Sequence, residues 1–171
     1  MELYVSYQYM FIDHLFILLA SFSGTLSPSS PTFTRPNGAG FFYYQAIQTT
    51  TYTSDTYTLR STSSTGLDTY GCLYSTYFDP NYPSENLLVC DDDSGGSAQF
   101  LINYDLSSAQ IYILVVTTYA PLATGSYAIL ATGPGYVTMT AFTPTTFSTT
   151  PYISTPTRKH NEIFSGFQYS T

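Results

Sequence analysis

A chain of 171 residues is long enough for one domain with its own core plus flanking segments. Only 9% of it is charged, and a net charge of -7 with four Lys plus Arg argues against nucleic acid or anionic lipid as partner. The 43% apolar fraction excludes wholesale disorder. Ser and Thr supply the polarity, while 18 Tyr and 12 Phe supply bulk. These residues suit a pleated, half-buried surface, so the composition points to an all-β protein. The shortage of Lys and Glu fits a secreted or cell-surface protein.

Residues 1–24 hold the apolar run Leu15-Phe16-Ile17-Leu18-Leu19-Ala20 ahead of Ser21 and Ser23, the layout of a signal peptide. Glu2, the lack of an early Lys or Arg, and Asp13-His14 support the alternative of a fragmentary leader feeding into the first strand. Pro28, Pro31, Pro36 and Asn37-Gly38 then forbid a long helix over 27–40. Alternating residues predict strands over Phe41–Gln48 and Thr56–Ser63, the latter with Tyr57 and Leu59 on one face and Thr58 and Arg60 on the other. Asp68–Phe78 and Asn86–Asp91 are strands on either side of Asp79-Pro80-Asn81-Tyr82-Pro83, a loop by its prolines. Phe100, Ile102, Tyr104 and Leu106 alternate with Asn103 and Asp105 as in a half-buried strand. Ile111–Tyr119 is apolar on both faces, which predicts a central strand covered on each side. Gly125–Gly133 and Tyr136–Phe142 complete the set, and no stretch carries a helical period. Seven to nine strands predict a two-layer antiparallel β-sandwich, jelly-roll-like, over 25–142, with a Thr/Ser/Pro-rich linker or tail over 143–171.

Cys72 and Cys90 flank the Pro-rich loop. If they face each other across a hairpin, Tyr74 opposes Leu88 and Phe78 opposes Ser84, and the loop falls at Asp79–Pro83. Opposed cysteines of a non-hydrogen-bonded pair have Cα atoms about 4.5 Å apart, within reach of a disulfide. Two buried thiols are the reading for a reducing compartment. The same register sets Asp68 opposite Ser94 and Tyr70 opposite Asp92. Asp68 and Asp92 then share the cysteines' face, with Asp91 and Asp93 on the other. Four carboxylates, Asp68, Asp91, Asp92 and Asp93, are thereby expected at one end of the sandwich.

Three consecutive carboxylates repel one another unless a cation or a set of donors sits among them. With carbonyls and Ser hydroxyls from a flexible turn they form the donor set of a hard cation, Ca2+ in preference to Mg2+. The spacing is not that of an EF-hand. Turn capping by backbone N–H groups, or direct ligand contact, are the competing readings. The two histidines, His14 and His160, lie outside the expected core, which leaves no triad and no histidine-bound zinc. Paired carboxylates can hydrolyse glycosides, but these are adjacent in sequence, so a non-catalytic protein is expected. Tyr70, Tyr74, Tyr77, Tyr82 and Tyr119 lie nearest the loops and are candidates for stacking on sugar rings, with cross-strand packing as the competing use.

Asp68-Thr-Tyr-Gly-Cys-Leu-Tyr, Asn86-Leu-Leu-Val-Cys-Asp-Asp-Asp-Ser-Gly-Gly, Ile111-Tyr-Ile-Leu-Val-Val and Thr124-Gly-Ser-Tyr-Ala-Ile, in that order, resemble the bacterial pre-peptidase C-terminal domain over about Phe41 to Gly133. The resemblance implies a jelly-roll β-sandwich acting as a non-catalytic secretion, binding or processing module. It places Asp68, Asp91 and Asp92 in an acidic cluster, and some relatives bind Ca2+ or extracellular polymers such as collagen. The two cysteines depart from the family pattern. The expected function is an extracellular binding module, Ca2+-stabilised, that recognises a glycan or matrix protein through its loops. A structural or adhesive unit of a larger cell-surface protein is the alternative.

Overall fold

Twelve strands and no helix make up the described residues, 8–12 and 15–144 of a computed structural model, with side chains described from residue 19 onward. Strands β1 (Gln8–Ile12), β2 (Leu15–Leu26), β11 (Gly125–Gly133), β6 (Asp55–Thr62) and β9 (Leu101–Leu106) form one sheet, adjacent in that order. The second sheet runs β12 (Val137–Phe142), β5 (Gln45–Thr51), β10 (Ile111–Thr118), β7 (Thr69–Ser75) and β8 (Leu87–Asp91). A short ribbon joins β3 (Thr32–Phe33) to β4 (Phe42–Tyr43). Every pairing is antiparallel. From β5 onward the chain changes sheet at every connection except β7–β8, the jelly-roll-like sandwich that the alternating strands predict.

All eight expected strands form, with Phe41–Gln48 divided at Tyr44 into β4 and β5. The count exceeds seven to nine because β1, β2 and β3 lie in segments whose prolines and leader-like run concealed them. Residue 25, the expected start of the sandwich, falls inside β2. There Ala20, Phe22 and Leu26 fill the core while β2 pairs with β11 from Leu18 to Leu26. The expected tail beyond Pro144, with His160, lies outside the described residues, as does His14.

The main core lies between the sheets, where Phe22, Tyr57, Leu59, Ile102 and Ile129 of one meet Ile47, Leu73, Leu114, Val116 and Met139 of the other. Strand β10 is third of five in its sheet and buried on both faces. Its Ile113 and Val115 turn away into a second cluster with Phe33, Phe42, Tyr44, Cys72, Tyr74 and Phe78. The β3–β4 ribbon and Phe78 therefore act as a partial third layer, held by edge-to-face ring contacts of 5.1 Å (Phe33–Tyr44) and 5.6 Å (Phe33–Phe78).

Cys72 and Cys90 are paired across β7 and β8 and form a disulfide, with Cα atoms 4.1 Å apart. The register expected beyond them changes. A bulge at Leu88 puts Tyr74 opposite Leu87 instead. Phe78 does not face Ser84, because β7 ends at Ser75 and Phe78 folds back onto Tyr74, ring centroids 4.8 Å apart. At the other end the ladder stops at Gly71 and Asp91, short of the expected Tyr70–Asp92 and Asp68–Ser94 pairs.

Candidate functional site

Beyond β8 the chain reverses through residues 92–100, and Asp91 organises the turn. Its Oδ1 accepts the Ser94 hydroxyl at 2.6 Å, while its Oδ2 accepts the N–H groups of Ser94 at 3.1 Å and Leu101 at 2.8 Å. Asp91 is thus a capping carboxylate, its oxygens taken up by the turn. Gly96, Ser97 and Ala98 then take left-handed backbone angles of 72°, 55° and 58°, a conformation for which only the glycine is suited. Gln99 fixes this loop to the segment before β7. Its buried Nε2 donates to the carbonyls of Leu67 and Ala98, both at 2.7 Å, and the Thr69 N–H donates to the Ala98 carbonyl at 3.0 Å. The Gln99 side chain and the Thr69–Ala98 backbone bond therefore replace the missing strand ladder and bring Asp68 to the turn.

Asp68, Asp92 and Asp93 each offer a carboxylate oxygen, and the three oxygens lie within 4.8 Å of one another. The expected face assignment is corrected accordingly: Asp93 joins Asp68 and Asp92, while Asp91 leaves the group. The irregular turn after Asp91 breaks strand alternation, so parity no longer sets direction. Oδ1 of Asp68 and Oδ1 of Asp92 are buried without a hydrogen-bond partner. Burial, then the charge of Asp93, holds the Asp68 carboxyl above its ordinary value, with Arg35 pulling the other way. Burial also raises Asp92, reinforced by Asp93, Asp68 and, least of these, Asp91, and opposed by Arg35. Two desolvated carboxylates beside a third are a donor set for a hard, oxygen-seeking cation.

Arg35, in the loop after β3, was not legible as part of this site. Its guanidinium lies over Tyr70 at 3.8 Å, Phe42 at 4.7 Å and Tyr119 at 5.8 Å from the ring centroids. The only available signal was its place among four basic residues beside the Pro36-Asn37-Gly38 turn.

The five candidate tyrosines separate. Tyr70 and Tyr119 meet at the acidic end, where Tyr119 N–H donates to the Asp68 carbonyl at 3.2 Å. Tyr74 is fully buried, and its hydroxyl donates to the Pro83 carbonyl at 2.9 Å, so it is a core residue rather than a ligand contact. Tyr77 packs edge-on against Phe142, on the far edge strand of the second sheet, and Tyr82 is exposed in the β7–β8 loop, so neither joins the acidic cluster. Phe41, Tyr119 and Leu122 are all more than half exposed around the acidic end. A separate cleft of about 580 Å³ lies between β2, β5 and β12, lined by Tyr44, Gln45 and Phe142 among others.

No protein-family model matches the sequence, and no curated protein matches it. Among the described residues no helix is long and apolar enough to cross a membrane.

Proposed function

We propose that this chain is a non-catalytic extracellular binding module, similar in plan to the pre-peptidase C-terminal domain. In this reading its acidic end takes up Ca2+, and the surrounding loops recognise a glycan or matrix protein. The observation that carries the reading is the convergence of Asp68, Asp92 and Asp93 from two separate segments, with two of their oxygens buried and unpaired. A bound cation would supply the missing partner and hold the β6–β7 and β8–β9 connections together. Tyr119, Phe41 and Leu122 supply exposed apolar surface beside it, suited to a ring face or a hydrophobic side chain. The Cys72–Cys90 disulfide fits an oxidising compartment, and so a secreted or cell-surface location.

Thermal melting in EDTA, Ca2+ and Mg2+ tests the metal. Ca2+ at a hundred times its Kd stabilises by about 2.7 kcal/mol, roughly 10 °C for a domain of this size. Mg2+ is expected to give less, because it demands tighter octahedral geometry. A melting temperature unchanged between EDTA and millimolar Ca2+ would remove the metal from this reading. Arrays of glycans and matrix proteins test the recognition.

A further inference from the structure

Both arginines among the described residues reach the acidic end, but they are held differently. Arg60 is exposed, and its Nη2 donates to the Gly95 carbonyl at 2.8 Å. Arg35 is only 7% exposed, and its Nε and Nη1 are buried with no hydrogen-bond partner. A buried guanidinium with unpaired donors is costly unless neighbouring charge offsets it. Four of the five buried, unpartnered side-chain atoms among the described residues belong to Arg35, Asp68 and Asp92. Tyr70, under the guanidinium, lies two residues from Asp68, and Tyr119, also under it, donates its N–H to the Asp68 carbonyl, so these donors and acceptors are neighbours left without hydrogen-bond partners. The rings of Tyr70, Phe42 and Tyr119 hold the guanidinium by their faces. From there its charge acts on both Asp68 and Asp92.

We infer that Arg35 is the built-in counter-cation of the acidic end: gripped by ring faces, it offsets the carboxylates when no metal is bound and leaves their oxygens free to take one. Had Asp68 or Asp92 closed a forked pair with Arg35, a metal would have to break those charge-assisted bonds before binding. Held by the rings, Arg35 opposes the metal only through repulsion, which at the high effective dielectric of a partly exposed site weakens binding by about tenfold. Arg35 thereby sets how much Ca2+ the acidic end needs. The part of this inference that concerns metal rests on the proposed cation site; the counter-cation role does not.

The test is a double-mutant cycle of R35M and D92N by urea denaturation in EDTA, with R35K as the charge-retaining control. D92N is expected to favour folding about tenfold more in the R35M background than in the wild-type background, and equally in R35K and wild type. If R35M does not fold, folding of R35M/D92N supports the same conclusion. Equal gains from D92N in R35M and wild type overturn the proposal. So does failure of both R35M and R35M/D92N to fold, which assigns Arg35 to packing alone. In Ca2+ titrations R35M should respond at about tenfold lower concentration than wild type. An equal response overturns the metal-setting role. No response in any variant removes the cation reading, while the cycle in EDTA still decides the role of Arg35.

Discussion

Opening the Cys72–Cys90 bridge tests how far the acidic end depends on its edge strand. Strand β8 pairs only with β7, and all five of its residues are partly exposed, so packing alone retains it weakly. The bridge joins residues separated by 18 positions, and closing a loop of that size in the unfolded chain is worth about 3 kcal/mol in the chain-entropy account. The variant C72A/C90A should therefore lose about 3 kcal/mol, roughly 10 °C in melting temperature. C90A alone should lose nearly as much, because either change abolishes the bond. Urea denaturation measures the loss, and hydrogen exchange at the Leu88 and Val89 amides reports whether β8 opens before the rest. A double variant within about 1 kcal/mol of wild type would show that the unbridged chain is already confined, and the reasoning would fail.

Two further expectations concern the acidic end and the core beneath it. Asp68 and Asp92 have carboxyls raised above the ordinary value, so folding takes up protons between the ordinary and the raised values. Their contribution is fully present below the ordinary carboxylate value and is lost as pH rises through the raised one. In EDTA, D92N should therefore be more stable than wild type at pH 7, and the difference should close on acidification through the carboxylate range. A D92N variant less stable than wild type at pH 7 in EDTA contradicts this. A Cβ added at Gly71 would lie 2.7 Å from two ring carbons of the fully buried Phe100, so G71A should cost about 1–3 kcal/mol by overpacking. Pairing it with F100L should recover part of that loss in chemical denaturation, since the smaller side chain vacates the ring's space.

Strand identity was local and so was legible in the sequence. Tyr57 and Leu59 alternate with Thr58 and Arg60, and the first pair is fully buried, because side chains on a strand point to opposite faces in turn. The double-sided apolar run at Ile111–Thr118 likewise dictated a central strand, as only burial on both faces accommodates it. The pairing of Cys72 with Cys90 followed from the hairpin that the Pro-rich loop closes.

The membership of the acidic cluster was decided by tertiary structure alone. Parity along a strand predicts directions only while the ladder persists, and here it ends at Gly71 and Asp91. Past that point the turn follows the hydrogen bonds of Asp91 and Gln99, which exchange Asp91 for Asp93 in the group that meets Asp68. Arg35 reaches the same place through a loop, carried by the β3–β4 ribbon that covers the outer face of the second sheet. No pattern in residues 27–40 encodes that approach, because the rings that receive Arg35 lie on β4, on β7 and just beyond β10, which only the folded sheets bring together. The triple aspartate alone marked where charge would gather; the fold determined which carboxylates share it and which cation faces them.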